Sequence, residues 1–122
     1  MKTILTIALF ALPLPALADY MDVIEFKLKE GCEFSEYLEI VADFNEQWGS
    51  KHAYRSEIAM PVQSNNLETL FWVGRTANAA AFGAAWDAWR DEITDADSLA
   101  GKLSARFAKC SENVGRRGYD TY

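Results

Sequence analysis

LETLFWVGRTANAAAFGAAWDAW, residues 67–89, decides how the rest of the chain must be arranged. Its first half sets Leu70 and Trp72 against Phe71 and Val73, so a strand here carries large apolar side chains on both faces. Such a strand belongs inside a sheet covered on both sides, because either set left in water would forfeit its burial. After the Gly74-Arg75-Thr76 exit, Asn78 suits a helix N-cap, and Phe82, Ala85, Trp86, Trp89 and Ile93 recur on one helical stripe. A central strand and the helix that packs on it are therefore expected at the middle of the molecule.

Upstream, Val23 to Lys29 alternates Ile24, Phe26 and Leu28 with Glu25, Lys27 and Lys29, the pattern of a half-buried first strand ended by Glu30-Gly31. Ser35 can cap a first helix over about residues 36 to 48, with Tyr37, Leu38, Val41, Phe44 and Trp48 on one stripe and Gly49 as its stop. Lys51 to Val62 alternates again, with Tyr54, Ser56, Ile58 and Met60 opposed to Ala53, Arg55, Glu57 and Ala59. Pro61 cannot donate to a ladder, so this second strand is an edge or ends there. Gln63-Ser64-Asn65-Asn66 is turn chemistry and makes the second and third strands a hairpin. Thr94 to Ser98 interrupts the aromatic helix, a further helix carries Leu99, Leu103, Phe107 and Cys110, and Val114 to Tyr122 reads as a short last strand. The order β, α, β, β, α, α, β defines a one-domain α+β fold. A right-handed first β-α-β unit with the hairpin strand between gives a four-stranded antiparallel sheet ordered 4-1-3-2, with helices on one face.

The first eighteen residues, MKTILTIALFALPLPALA, have a basic start at Lys2, a short apolar run broken by Pro13 and Pro15, and Ala16-Leu17-Ala18. This is the layout of a secretory signal peptide cleaved after Ala18, since a membrane anchor needs about 20 apolar residues. The domain is then 19–122, exported to a periplasm or to the exterior, with no membrane contact after cleavage. Lys2 is the leader's only charged side chain, so the remainder is one unit more acidic than the chain's formal −6. That balance argues against nucleic acid as a partner. Cys32 and Cys110 are the only cysteines, and export makes a disulfide the default reading over free thiols or half a metal site. The 4-1-3-2 topology brings the ends of the first strand and the last helix to one sheet edge, which would place these two residues together.

The element order, with the aromatic helix AAAFGAAWDAW after FWVGRTAN, resembles the ferredoxin-like fold and, more narrowly, the dimeric α/β-barrel superfamily with its antibiotic-biosynthesis monooxygenase-like and stress-responsive barrel domains. The resemblance implies a homodimer whose sheets pack face to face, with a pocket in each subunit between sheet and helices. Phe71 and Val73 would then be covered by the second subunit.

Few residues can carry chemistry. His52 is the only histidine, and no GxSxG or HExxH spacing accompanies it. No metal site and no cofactor are expected. Trp48, Trp72, Trp86 and Trp89, with Tyr54 and several phenylalanines, are first of all core and interface, and secondly the wall of a pocket for a flat apolar ligand. Candidate ligand contacts are Trp72, Trp86, Trp89, Arg55 and Arg75, with any pocket between Trp72 and Trp86. Should the protein be a cofactor-independent oxygenase-like enzyme, the candidates are His52, Tyr54, Trp72 and Trp86. A structural or partner-binding module without a ligand is the third possibility. Arg55, Glu57, Arg75 and Glu25 read as a polar strand face or as ion pairs across a dimer, and Arg116 and Arg117 as surface charge on the last strand.

Overall fold

The computed structural model describes residues 19–122, and the signal-peptide expectation lies outside the described residues. The elements run β1 (Asp19–Leu28), α1 (Phe34–Asp43), a π-helical turn (Phe44–Trp48), a 3-10 turn (Gly49–His52), β2 (Arg55–Ala59), β3 (Leu70–Thr76), α2 (Ala79–Glu92), α3 (Leu99–Cys110) and β4 (Ser111–Thr121). All pairings are antiparallel and the sheet order is β2-β3-β1-β4, the 4-1-3-2 order read from its other edge. This is the ferredoxin-like arrangement, and the doubly apolar third strand is one of its two central strands.

Each strand divides its residues between two unlike faces. Toward the helices point Asp22, Ile24 and Phe26 of β1 and Leu70, Trp72 and Gly74 of β3, where Phe26 is fully buried and Trp72 nearly so. Val23 stands opposite Val73 on the other face, flanked by Met21 and Phe71, all partly exposed in the single chain. The core lies between sheet and helices and is aromatic: Phe44 packs edge-on against Tyr54, Trp72, Trp89 and Phe107 at centroid distances of 5.0 to 6.2 Å. Offset and edge-on rings of this kind add to the area they bury.

Local chemistry explains most boundaries. Asn78 caps α2 by accepting from the Ala81 N–H at 2.8 Å, and Ser98 caps α3 through the Gly101 N–H at 2.9 Å. The first helix departs from its expected form. It starts at Phe34 with Glu33 in the cap position and no side-chain cap, and regular α-helix ends at Asp43. A π-helical turn then carries Phe44 and Trp48 inward, and Leu38, expected on the buried stripe, is 40% exposed while Ile40 is buried in its stead. The second strand is shorter than its alternation at both ends: Lys51 and His52 belong to the 3-10 turn and Ala53 is left-handed, and Pro61 and the turn residues after it do not pair with β3.

Cys32 and Cys110 form a disulfide with a Cα–Cα separation of 5.1 Å across 78 residues of sequence. In the loop-entropy view a closure of that length stabilises by about 4.5 kcal/mol. It ties the C-terminal end of α3 to the loop after β1, beside the Lys29 N–H bond to the Cys110 carbonyl at 2.9 Å.

Candidate functional site

A cavity of about 200 Å³ lies between the sheet and the helices. Its floor is Ile24, Trp72 and Asp22, and Phe44, Trp48, Phe82, Trp86, Trp89 and Phe107 wall it. Polar groups are few. Ser104, Ser111 and Asn113 stand on one side, and the Asp22–Arg116 pair on another.

Asp22 is the unexpected member. It follows the alternation of Ile24 and Phe26 onto the buried face and is 1% exposed. A carboxylate there needs partners, and it has two residues that supply three hydrogen bonds. Arg116 grips it with two prongs, Nε donating to Oδ1 at 2.9 Å and Nη2 to Oδ2 at 2.7 Å. The Tyr54 hydroxyl donates to Oδ2 at 3.0 Å and accepts from Trp72 Nε1 at 2.8 Å. Among the described residues no buried side-chain polar atom lacks a partner. The guanidinium plane rests on Trp86, 4.0 Å from the ring centroid, with Phe82 at 5.7 Å.

Backbone features make this constellation possible. Between Glu25 and Phe26 the register with β4 slips by one: Glu25 faces Gly115 and Phe26 faces Asn113, leaving Val114 as the extra residue of a β-bulge. Strand side chains alternate with period two, so if Val114 took its place in a regular ladder the chain would send Arg116 to the same face as Glu112. The bulge resets the phase, and Asn113 and Arg116 both reach the helix side. Gly74 supplies the other condition. A Cβ at this position would run into the Tyr54 ring, so only glycine lets Tyr54 lie across β3 toward Asp22.

Electrostatics follow from the burial. Desolvation, reinforced by the charge of Asp22, pushes the Tyr54 hydroxyl well above its ordinary value, so it stays protonated. Burial pulls the Arg116 guanidinium down, but the hydrogen bonds and charge of Asp22 outweigh it and the net shift is upward. Tyr37, on the α1 side, is raised by desolvation as well.

The residues singled out in the sequence separate into two groups. Tyr54, Trp72, Trp86 and Trp89 line the cavity. His52 lies outside it, stacked on the face of Trp48 at 4.1 Å with Nε2 3.6 Å from Glu92 Oε1, while Glu92 Oε2 accepts from Trp48 Nε1 at 3.0 Å. Arg55 and Arg75 pair in register on the opposite face of the sheet, where Arg75 Nε donates to Glu57 at 3.3 Å. Sequence reasoning passed over Asp22 and placed Arg116 on the surface. The usable signal was phase: an aspartate two residues before Ile24 and four before Phe26 occupies a core position, and that demands a cation or donors. Among the described residues no group of three or more His, Cys, Asp or Glu side chains is placed to hold a metal, and no helix is long and apolar enough to cross a membrane.

No protein-family model matches the chain, and no curated protein does. Among the solved structures to which the chain is similar are two ferredoxin-like proteins. A dimeric protein of unknown function with a ferredoxin-like fold from Bacteroides fragilis is 14% identical, with 84% of this chain and 93% of that one covered and a TM-score of 0.43. A dimeric ferredoxin-like protein of unknown function from Thermobifida fusca is 10% identical over 84% of this chain and 89% of that one, with a TM-score of 0.47.

Proposed function

We propose that this chain is an exported homodimeric barrel protein that binds a small, flat, mostly apolar molecule between its sheet and its helices. The observation that carries the reading is the cavity of about 200 Å³, walled by aromatic rings and holding one internally compensated charge pair. An apolar cavity of about 150 Å³ is enough for a benzene ring, so a one- or two-ring ligand fits. A module with a purely structural role would gain by closing this recess, which leaves apolar ring surface uncovered between sheet and helices.

Binding is favoured over oxygenase-like catalysis by the state of the candidate groups. Tyr54 is held protonated, and its oxygen is engaged by Trp72 and Asp22 together. His52 faces Trp48 and Glu92 rather than the cavity. Export is supported by the Cys32–Cys110 bridge, which persists in oxidising compartments. The dimer is supported by the outer sheet face, where Met21, Val23, Phe71 and Val73 form an apolar patch that a second sheet would cover.

Native mass spectrometry of protein purified from its source without denaturant tests the reading. A retained molecule of one or two rings is expected, lost when Ala85→Trp fills the cavity from its α2 wall. The absence of any retained molecule, together with no response to a panel of aromatic fragments at millimolar concentration, would remove the binding proposal.

A further inference from the structure

We infer that the Asp22–Arg116 pair tunes the cavity to a neutral planar ligand bearing one hydrogen-bond acceptor of the carbonyl type, and sets it against carboxylates; this rests on the binding role proposed above. A guanidinium has five N–H groups in a fixed fork. Nε–H and one of the two N–H groups of Nη2 are spent on Asp22, no described residue accepts from Nη1, and the side chain, which lines the cavity, is 35% exposed. The fork on one edge and Trp86 beneath the plane hold that donor still. A ligand stacked among the rings would therefore meet a guanidinium that the protein already holds in place.

The charge on this donor is largely cancelled at its source. Asp22 lies 2.7 to 2.9 Å from the guanidinium and is almost wholly shielded from water. An incoming carboxylate would have to share Arg116 with a buried anion, and in a low-dielectric site that repulsion is weakly screened. A ketone or quinone oxygen accepts the same N–H without it. An ammonium group would meet the positive charge of Arg116 first, with Asp22 buried behind it and already accepting three hydrogen bonds.

Three probes of nearly equal shape separate these effects: cumene, acetophenone and benzoate. Each is titrated at pH 7 into ¹⁵N-labelled mature protein while the indole N–H resonances of the four tryptophans are followed. Hydrophobic transfer alone ranks cumene first. A hydrogen bond from a charged donor instead places acetophenone about tenfold or more ahead of cumene, with benzoate about tenfold or more behind acetophenone. In Asp22→Asn the cancelling anion is gone, and benzoate is expected to overtake acetophenone. Benzoate binding at least as tightly as acetophenone in the wild type, or cumene binding tightest, would overturn the inference while leaving the cavity as a binding site. An unchanged preference in folded Asp22→Asn would do the same. If Asp22→Asn does not fold, the wild-type ranking decides alone. Should none of the three probes shift any indole resonance, the binding role itself fails and the inference with it.

Discussion

Asp22 sits where strand alternation asks for an apolar side chain, and carboxylates stay in such places only when paired. Its partners make the surrounding polar chain interdependent, since Tyr54 has one oxygen serving both Asp22 and Trp72. Removing that hydroxyl in Tyr54→Phe leaves a carboxylate oxygen and an indole N–H each short of a partner, and is expected to cost about 1 to 3 kcal/mol at pH 7 by thermal or urea unfolding. An unchanged midpoint would mean that water replaces the hydroxyl at no cost. The same tyrosine governs alkaline behaviour. Tyr54 and Tyr37 are both raised by burial, so above the ordinary tyrosine value of about 10 the unfolded chain loses protons that the folded chain keeps. Stability contributed by these groups is complete below that pH and declines as pH rises, by up to about 1.4 kcal/mol per pH unit for each tyrosine. Urea unfolding between pH 9.5 and 11 should show the decline, with a shallower slope in Tyr54→Phe; parallel slopes in the two proteins would contradict the assignment.

Between α1 and β2 the chain uses a π turn, a 3-10 turn and Ala53 in the left-handed region at φ 49° to bring Phe44, Trp48 and Tyr54 into one wall. Wide turns of this type are uncommon and often found at functional sites, and here the wall they build belongs to the cavity. Asn45, within the turn, acts as a substitute strand for edge β2: its Oδ1 accepts from the Ser56 N–H at 2.9 Å and its Nδ2 donates to the Ser56 carbonyl at 2.8 Å. Asn45→Ala should release both backbone groups and destabilise by about 1 to 3 kcal/mol. Faster amide exchange is expected at Ser56, whereas slow exchange there in the variant would show that β2 holds without the asparagine. Helix α2 was legible down to its cap, Asn78, whereas for α3 the sequence offered the whole cluster Thr94 to Ser98 and the structure selects Ser98 from it. The π turn was not, since its residues also fit a regular stripe, and only the packing of Phe44 against four rings selects the wider winding.

For the whole molecule the outer sheet face is the surface that a second copy would cover. Val23 and Val73 stand opposite each other there, with charged Arg55, Glu57 and Arg75 alongside. If a second copy covers it, light scattering of residues 19–122 at micromolar concentration should report twice the mass of one chain, and Val73→Lys should halve it without unfolding the domain. A wild-type monomer would leave that apolar patch without the partner proposed for it. Composition, alternation and cap chemistry by themselves determined the element order, the antiparallel 4-1-3-2 sheet, the meeting of Cys32 with Cys110 and the aromatic interior. Those features follow from local periodicity and from the few chain paths that bury such faces. Only the tertiary structure decided that Arg116 turns inward to Asp22, that His52 leaves the cavity for Trp48, and that Arg55 and Arg75 lie across the sheet from it. The physical reason is phase: one extra residue, Val114, inverts every later side chain on β4, and whether a bulge forms depends on the partner strand, which no stretch of sequence carries within itself.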